Sequence, residues 1–252
     1  MTTERTASTP EAIAIILARG GSRGLPRKNA LPIAGRPCIA WTVDAARAAE
    51  TVGTVVVSSD DDELLRIGAL GGATPHHRSP GLSTDTATVD DAAREAANTH
   101  AGDPIVILYG NVPVRPEGLI DRAVRTLIET GADSVQSYCE VGKHHPWWTA
   151  RVGDDGSVAP WEGDQLNHGV FRRQDLPKAH IPDGGVIAVT RAALFHEIAG
   201  VPDGPHAFFG RDRRGVITQP GEVIDIDSKI DLRVADAILT ERHQSAIEAG
   251  AA

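Results

Sequence analysis

The sequence predicts an α/β chain with a mostly parallel central sheet, helices on both faces and a small inserted flap. Three observations carry this. Short apolar runs without alternation recur, as strands buried on both faces require. Segments with helical spacing separate them, as in right-handed βαβ units. A Gly-rich stretch follows the first run directly, and open sheets of this kind place ligands beyond the carboxyl ends of their strands.

The first run, residues 12–18, is Ala-Ile-Ala-Ile-Ile-Leu-Ala. Residues 37–50 are Ala-rich with helical spacing. Thr54, Val55, Val56 and Val57 are β-branched and read as a second buried strand. Helices are predicted over 62–70 and 85–98, the latter with Asp85 as its cap. A third strand covers 105–109. A helix over 116–129 opens on a proline, which is pre-organised for a first turn, and a strand follows over 134–138. Residues 142–181 are turn-rich with little periodicity and read as an inserted flap or oligomerisation arm. A strand over 183–190, a helix over 191–198 and a short strand over 223–227 come next. The last helix covers 228–242, with Ser228 and Asp231 as an approximate capping box. The expected organisation is a disordered lead-in (1–11), one domain (12–244) and a frayed tail (245–252).

A chain of 252 residues, 41% hydrophobic and 23% charged, is long enough for one well-buried domain. The net charge of −9 argues against a duplex-DNA binder relying on a general basic field, so no nucleic-acid partner is expected. No run approaches the ~18 apolar residues of a membrane span, and residues 1–11 lack the apolar stretch of a signal peptide. A cytoplasmic protein without a membrane partner is expected. Cys38 and Cys139, the two cysteines, are too few for a disulfide scaffold or a four-cysteine metal site. Both lie in apolar segments and read as core thiols.

The stretch Arg19-Gly20-Gly21-Ser22-Arg23-Gly24-Leu25-Pro26-Arg27-Lys28-Asn29 concentrates four cations within ten residues of an acidic chain. Glycines let backbone N–H groups approach phosphate oxygens, and Arg and Lys supply fork and point charges. The stretch is neither a GxxxxGK[ST] loop nor a GxGxxG fingerprint. Asp60, Asp61 and Asp62 read as helix caps in preference to a metal site. Lys143 to Trp148 carries two histidines and two tryptophans, but no third ligand stands at zinc spacing. Asp225 and Asp227, at i and i+2 of a strand, face one way. Two such carboxylates repel unless a cation lies between them, for which Mg²⁺ is suited; helix capping is the other reading.

The loop resembles the signature of the acylneuraminate cytidylyltransferases, the CMP-sialic acid synthetases. The likeness continues through Leu31–Pro37, the segment Arg78–Ala87 (at Arg78, Leu82, Asp85, Thr86 and Ala87), Lys143–Trp148, Phe171–Lys178, Ile181–Ile187 and Ile224-Asp225-Ile226-Asp227. The resemblance implies a Rossmann-like nucleotidyltransferase fold and transfer of CMP from CTP to a sialic-acid-like nonulosonate with release of pyrophosphate. It implies Mg²⁺ on Asp225 and Asp227, with Arg19 and Lys28 also catalytic. Substrate contacts would come from Arg19, Gly20, Gly21, Ser22, Arg23, Lys28, Asn29, Arg78, Ala87 and Asn111. It further implies a homodimer through the 142–181 arm. Two departures fall on the acceptor side. Leu108-Tyr109-Gly110-Asn111-Val112-Pro113 replaces the family's leu-gln-pro-thr-ser-pro, and Ala188 stands where a tyrosine of the sugar pocket is expected. Alternatives are a Kdo-like acid, a legionaminic-type acid or a small phosphonate as acceptor, or an inactive nucleotide-binding domain. Retention of both aspartates argues against the last.

Overall fold

The computed structural model describes residues 11–21 and 24–250, with side chains described through residue 245. The expected lead-in over residues 1–10, the loop residues Ser22 and Arg23, and residues 251–252 lie outside the described residues. In chain order the elements are β1 (Ala12–Leu17), β2 (Pro32–Ile33), β3 (Arg36–Pro37), α1 (Cys38–Ala48), β4 (Val52–Ser59), α2 (Asp62–Leu70), β5 (Thr74–His77), α3 (Val89–Thr99) and β6 (Ile105–Tyr109). Then come α4 (Leu119–Thr130), β7 (Ser134–Glu140), β8 (Ala150–Val152), β9 (Val158–Pro160), β10 (His180–Val189), α5 (Arg191–Leu194), β11 (Arg213–Thr218) and α6 (Lys229–Gly250).

Seven strands form one sheet in the order β11-β7-β10-β6-β1-β4-β5. All neighbours run parallel except β10, which is antiparallel to both β6 and β7. All six residues of β1 are buried, and their alternation divides the core. Ala12, Ala14 and Ile16 pack with α1, α2 and α4 on one face. Ile13, Ile15 and Leu17 pack with α3, Leu194 of α5 and Phe208 on the other. A third cluster seats α6, through Ala235 and Leu239, on Ile33, Cys38, Val114 and Ile226.

Several boundaries move for identifiable reasons. Helix α3 begins at Val89, later than expected, because Thr88 caps it by accepting from Asp91 N (3.2 Å); Asp85 is instead ion-paired to Arg19. The expected strand over 223–227 shrinks to one bridge, Ile224 with Val114. Helix α5 spans only Arg191–Leu194, while α6 continues to Gly250, past the expected end at 242. Strands β5 and β11 were not expected; both are edges of the sheet. Their sequences, Thr-Pro-His-His and Arg-Arg-Gly-Val-Ile-Thr, carry the Pro and charge typical of edges in place of an apolar run. Of the two cysteines Cys38 is buried, with its thiol pushed up to about 12 by burial. Cys139, near the exposed end of β7, is only half-buried.

Helix α2 approaches β4 through Gly68, where an added Cβ would lie 2.6 Å from Val57 Cγ2. Helix propensity favours alanine over glycine by about 1 kcal/mol, but overpacking a tight core costs ~1–3 kcal/mol. We therefore expect Gly68→Ala to lower stability in urea denaturation. A gain in midpoint would mean that α2 is free to move off the sheet.

Candidate active site

The cleft lies at the carboxyl ends of β1, β4 and β6. Strand β1 delivers Arg19 and the Gly-rich loop, and β4 delivers Asp60 and Asp61. The loop after β5 carries Arg78 to Ala87, and the turn after β6 carries Asn111. A 370 Å³ cleft has Arg19, Lys28, Asn29, Arg78, Ala87 and Asp227 among its walls. The structure thus brings the sequence-predicted residues of four separate segments to one place.

Among the described residues, the loop's charges are engaged with carboxylates. Arg19 Nη1 lies 2.6 Å from Asp85 Oδ1, and Lys28 Nζ 2.6 Å from Asp227 Oδ1. Arg27 pairs with Glu63 and lies 3.5 Å from Asp61. The Gly20 N–H donates to Asp60 Oδ1 (2.9 Å). This acidic lining was not read from the sequence, because Asp85 and Asp60 look like helix caps in isolation. Asp61 does cap α2, accepting from Glu63 N and Leu64 N. An incoming polyanion would exchange with these carboxylates for the same cations.

Asn29 braces the loop from below. It is buried, its Nδ2 donates to Arg19 O (3.0 Å), and its Oδ1 has no partner among the described residues. Arg78 is also buried; its Nη2 donates to Ser58 O (2.6 Å) and its Nε to Ser58 Oγ (3.1 Å). Burial lowers its basicity from the ordinary arginine value.

The 223–227 segment keeps strand-like alternation without a strand. Ile224 N donates to Val114 O (3.3 Å) and Ile226 N to Asn111 O (2.9 Å). Ile226 is fully buried, so Asp225 and Asp227 emerge on the cleft side. Asn111 Nδ2 donates to Asp225 Oδ1. Ser228 Oγ accepts from Ile230 N and Asp231 N, and Asp231 accepts from Ser228 N. The predicted capping box is present, so neither Asp225 nor Asp227 is needed as the cap of α6.

Asp225 remains accessible, yet the concave wall around it removes much of its water. That enclosure, with the Asp227 charge adding to it and Lys28 opposing, raises its carboxyl from 3.8 to about 6. Among the described residues no group of three or more His, Cys, Asp and Glu side chains is arranged to hold a metal. The pair nevertheless suits Mg²⁺, which takes one or two protein carboxylates and completes its shell with water and substrate phosphates. The sign of the Asp225 shift gives a prediction. Ionised Asp225 is held less favourably in the fold than in the unfolded chain, a penalty absent below the ordinary carboxylate value and complete above about pH 6. We expect Asp225→Asn to raise the melting temperature of the ligand-free protein at about pH 8, and the gain to vanish near pH 3.5. An equal gain at both values would place its origin elsewhere.

Behind the cleft opens a second cavity of about 610 Å³ on the α3 face of the sheet. Ala87, Thr88, Val89 and Tyr109 line both spaces, so Tyr109 stands at the passage between them. The far wall includes Gln136, Tyr138, Ile187, Phe208, Phe209 and Arg213. Sequence reading missed this wall, although Phe208-Phe209, half of the chain's four phenylalanines, stand side by side in a Gly- and Pro-rich stretch. Ala188 does not belong to it. Its side chain is fully buried in the opposite core layer with Val106 and Val135, and Ile187 faces the cavity instead.

The cytidylyltransferase family profile matches residues 13–179. An N-acylneuraminate cytidylyltransferase of Oncorhynchus mykiss is 33% identical over 226 residues, covering 88% of this chain and 49% of that protein. A pseudaminic acid cytidylyltransferase of Campylobacter jejuni is 27% identical, covering 93% of this chain and 98% of that protein. The chain spans about half the length of the first of these relatives. In fold it is similar to a CMP:2-keto-3-deoxy-manno-octonic acid synthetase complexed with CTP, with a TM-score of 0.69 at 17% identity over 92% of this chain and 99% of that one. With the profile spanning well over half of its residues, the chain belongs to the cytidylyltransferase family.

Proposed function

We propose that this chain transfers CMP from CTP to an acidic sugar of the sialic-acid type, with release of pyrophosphate, in a Mg²⁺-dependent reaction. The observation that carries the reading is the continuity of two spaces. A cation-lined cleft, bounded by Arg19, Lys28 and Asp227, leads past Tyr109 into a cavity large enough for a sugar acid. A nucleotide-binding domain without turnover has no use for the second space.

CTP lies along the loop, with its phosphates taking Arg19 and Lys28 from their carboxylate partners. Gly20 and Gly21, and the loop's Ser22 and Arg23, contribute to the same cradle. Arg78 and Ala87 border the base, and Asn111 holds Asp225 toward the phosphates. Asp225 and Asp227 would hold Mg²⁺, which supplies positive charge to the phosphate oxygens. The acceptor hydroxyl oxygen forms a bond to the α-phosphorus while the bond from that phosphorus to the β-phosphate's bridging oxygen breaks. Pyrophosphate leaves and the hydroxyl proton is released. Arg19 and Lys28 stabilise the charge that accumulates, so positioning and electrostatics supply most of the acceleration.

The test is pyrophosphate release with each of the four nucleoside triphosphates and a panel of acids, with and without a chelator. CTP-specific, chelator-sensitive release with a nine-carbon acid is expected. Release with Kdo or a small phosphonate alone would move the acceptor, and no release by folded protein with any pair would end the reading. We also place a homodimer contact on the arm, where Phe171 is 83% and Trp161 55% exposed. Sedimentation of Phe171→Ser should shift toward the monomer. Both cysteines are free, in keeping with a reducing compartment, and we place the enzyme in the cytoplasm. Among the described residues no helix is long and apolar enough to cross a membrane.

A further inference from the structure

The cavity behind Tyr109 has one polar reader that no part of the mechanism uses. Ser134, Gln136 and Tyr138 alternate along β7 and line the cavity together. Tyr138 Oη donates to Gln136 Oε1 (3.2 Å). That bond occupies the amide oxygen and fixes which way the amide points. Among the described residues, no protein group accepts from the Gln136 amide nitrogen. The Tyr138 ring in turn rests on Gly215 of β11, where an added Cβ would lie 3.2 Å from the ring's Cδ2. Glycine at 215 is therefore what lets the tyrosine lie flat enough to orient its neighbour.

The surroundings of this amide are apolar. Ile187 of β10 pairs with Gln136 across the sheet, and Phe208 and Phe209 pack against each other at 4.2 Å between ring centroids. Arg213 and Arg214 also line the cavity; Arg213 is turned to Gly210 O (3.0 Å) and His206 O (3.3 Å), and Arg214 is paired with Asp212 (2.8 Å). Ser134 Oγ donates to Phe209 O (2.7 Å). A carboxylate beside Gln136 would lose its water for an uncharged amide, with both arginines turned to other acceptors. A hydroxyl could accept from the amide nitrogen, but its own O–H would meet an amide oxygen that already accepts from Tyr138. A carbonyl joined to a methyl group suits both features, taking the amide hydrogens at one end and burying its methyl at the other.

Resting on the reading of the site as a CMP transferase, the geometry assigns Gln136 as the specificity-determining residue for the acceptor. Its amide hydrogens donate to the carbonyl of an acylamino substituent on the acid sugar, whose methyl lies against Ile187 and Phe208. Tyr138 acts through Gln136 as a positioning residue.

The experiment compares N-acetylneuraminate with the same nine-carbon acid bearing a hydroxyl in place of its acetamido group. Initial rates of pyrophosphate release are measured for wild type, Gln136→Leu and Tyr138→Phe. Wild type should favour the acetamido acid, and Gln136→Leu should cut that preference about tenfold, the size expected when one partner of a buried hydrogen bond is lost. The loss should lie in the acceptor KM, with the CTP KM unchanged, which a general structural defect would not do. Tyr138→Phe should show a smaller loss of the same kind. An unchanged preference in folded Gln136→Leu overturns the assignment. If wild type turns over neither acid, the wider panel of acids decides the transferase reading, and calorimetric binding of the two acids decides the assignment of Gln136. Weaker binding of the acetamido acid by Gln136→Leu would then sustain the assignment, and no binding to wild type would remove it.

Discussion

Asp227→Ala is expected to fold as wild type does and to release pyrophosphate from CTP about 10³-fold more slowly, the scale of losing one main electrostatic element of a charged transition state. Two features separate the effects on folding and turnover. The Asp227 side chain is 71% exposed and, among the described residues, is paired with Lys28 alone. Its main chain stays fixed because Asp231 accepts from Asp227 N (3.2 Å) and from Ser228 N (2.7 Å). An exposed pair of this kind contributes at most about 1 kcal/mol to stability. The catalytic loss has a different origin, since the proposed metal site keeps only Asp225. Melting temperature and steady-state rates on the same preparation check both halves. Near-wild-type turnover in Mg²⁺ would remove Asp227 from the metal site, and a collapsed melting temperature would show that Ser228 and Asp231 do not hold the turn alone.

The two-faced core of this fold was legible because burial on both sides leaves no alternation: β1 and β6 read directly as apolar runs. The edges were not. Thr74–His77 and Arg213–Thr218 face solvent and carry the polar residues that keep edges unpaired, so their pairing comes from the neighbouring strand's backbone. The nucleotide side of the site was legible for a related reason. Its residues are consecutive, as in Arg19 to Asn29, or spaced at i and i+2, as in Asp225 and Asp227. The proposed acceptor side draws on Tyr109, Gln136, Ile187 and Phe208, which line one cavity from four separate segments that no local pattern connects. The clearest misreading, Ala188 for Ile187, is a displacement of one residue. In a strand that moves a side chain from the cavity to the opposite core layer.

Arg115→Met is expected to destabilise the fold by about 3 kcal/mol, the upper end of the cost of stranding one core carbonyl. Arg115 is a buried cation that, among the described residues, has no carboxylate in contact. Burial lowers it to about 10, so it stays charged at neutral pH. Its Nε donates to Gly185 O (2.6 Å), its Nη1 to Thr42 Oγ1 (3.0 Å) and to Val112 O, and its Nη2 to Tyr109 O (3.2 Å). One side chain thus ties β10 to the turn that carries Tyr109 and Asn111. Methionine fills much of the volume and relieves the cost of burying a charge, which is why replacing buried ion pairs is often neutral. Here the partners are main-chain carbonyls that cannot be replaced along with the arginine. Thr42 Oγ1 can turn its one hydrogen to Val112 O (3.0 Å), and Tyr109 O still accepts from Val112 N (3.2 Å), so those two keep a donor, and Gly185 O loses its side-chain donor. For a chain of this size the loss corresponds to a melting temperature lower by about 6–12 °C. Kinetics at a temperature where the variant is still folded add a second readout. If the clamp positions the turn, KM should rise for both CTP and the acceptor, because Asn111 serves the cleft and Tyr109 the passage. An unchanged melting temperature would mean that water replaces the guanidinium at Gly185. Lower stability with both KM values intact would confine Arg115 to holding the core.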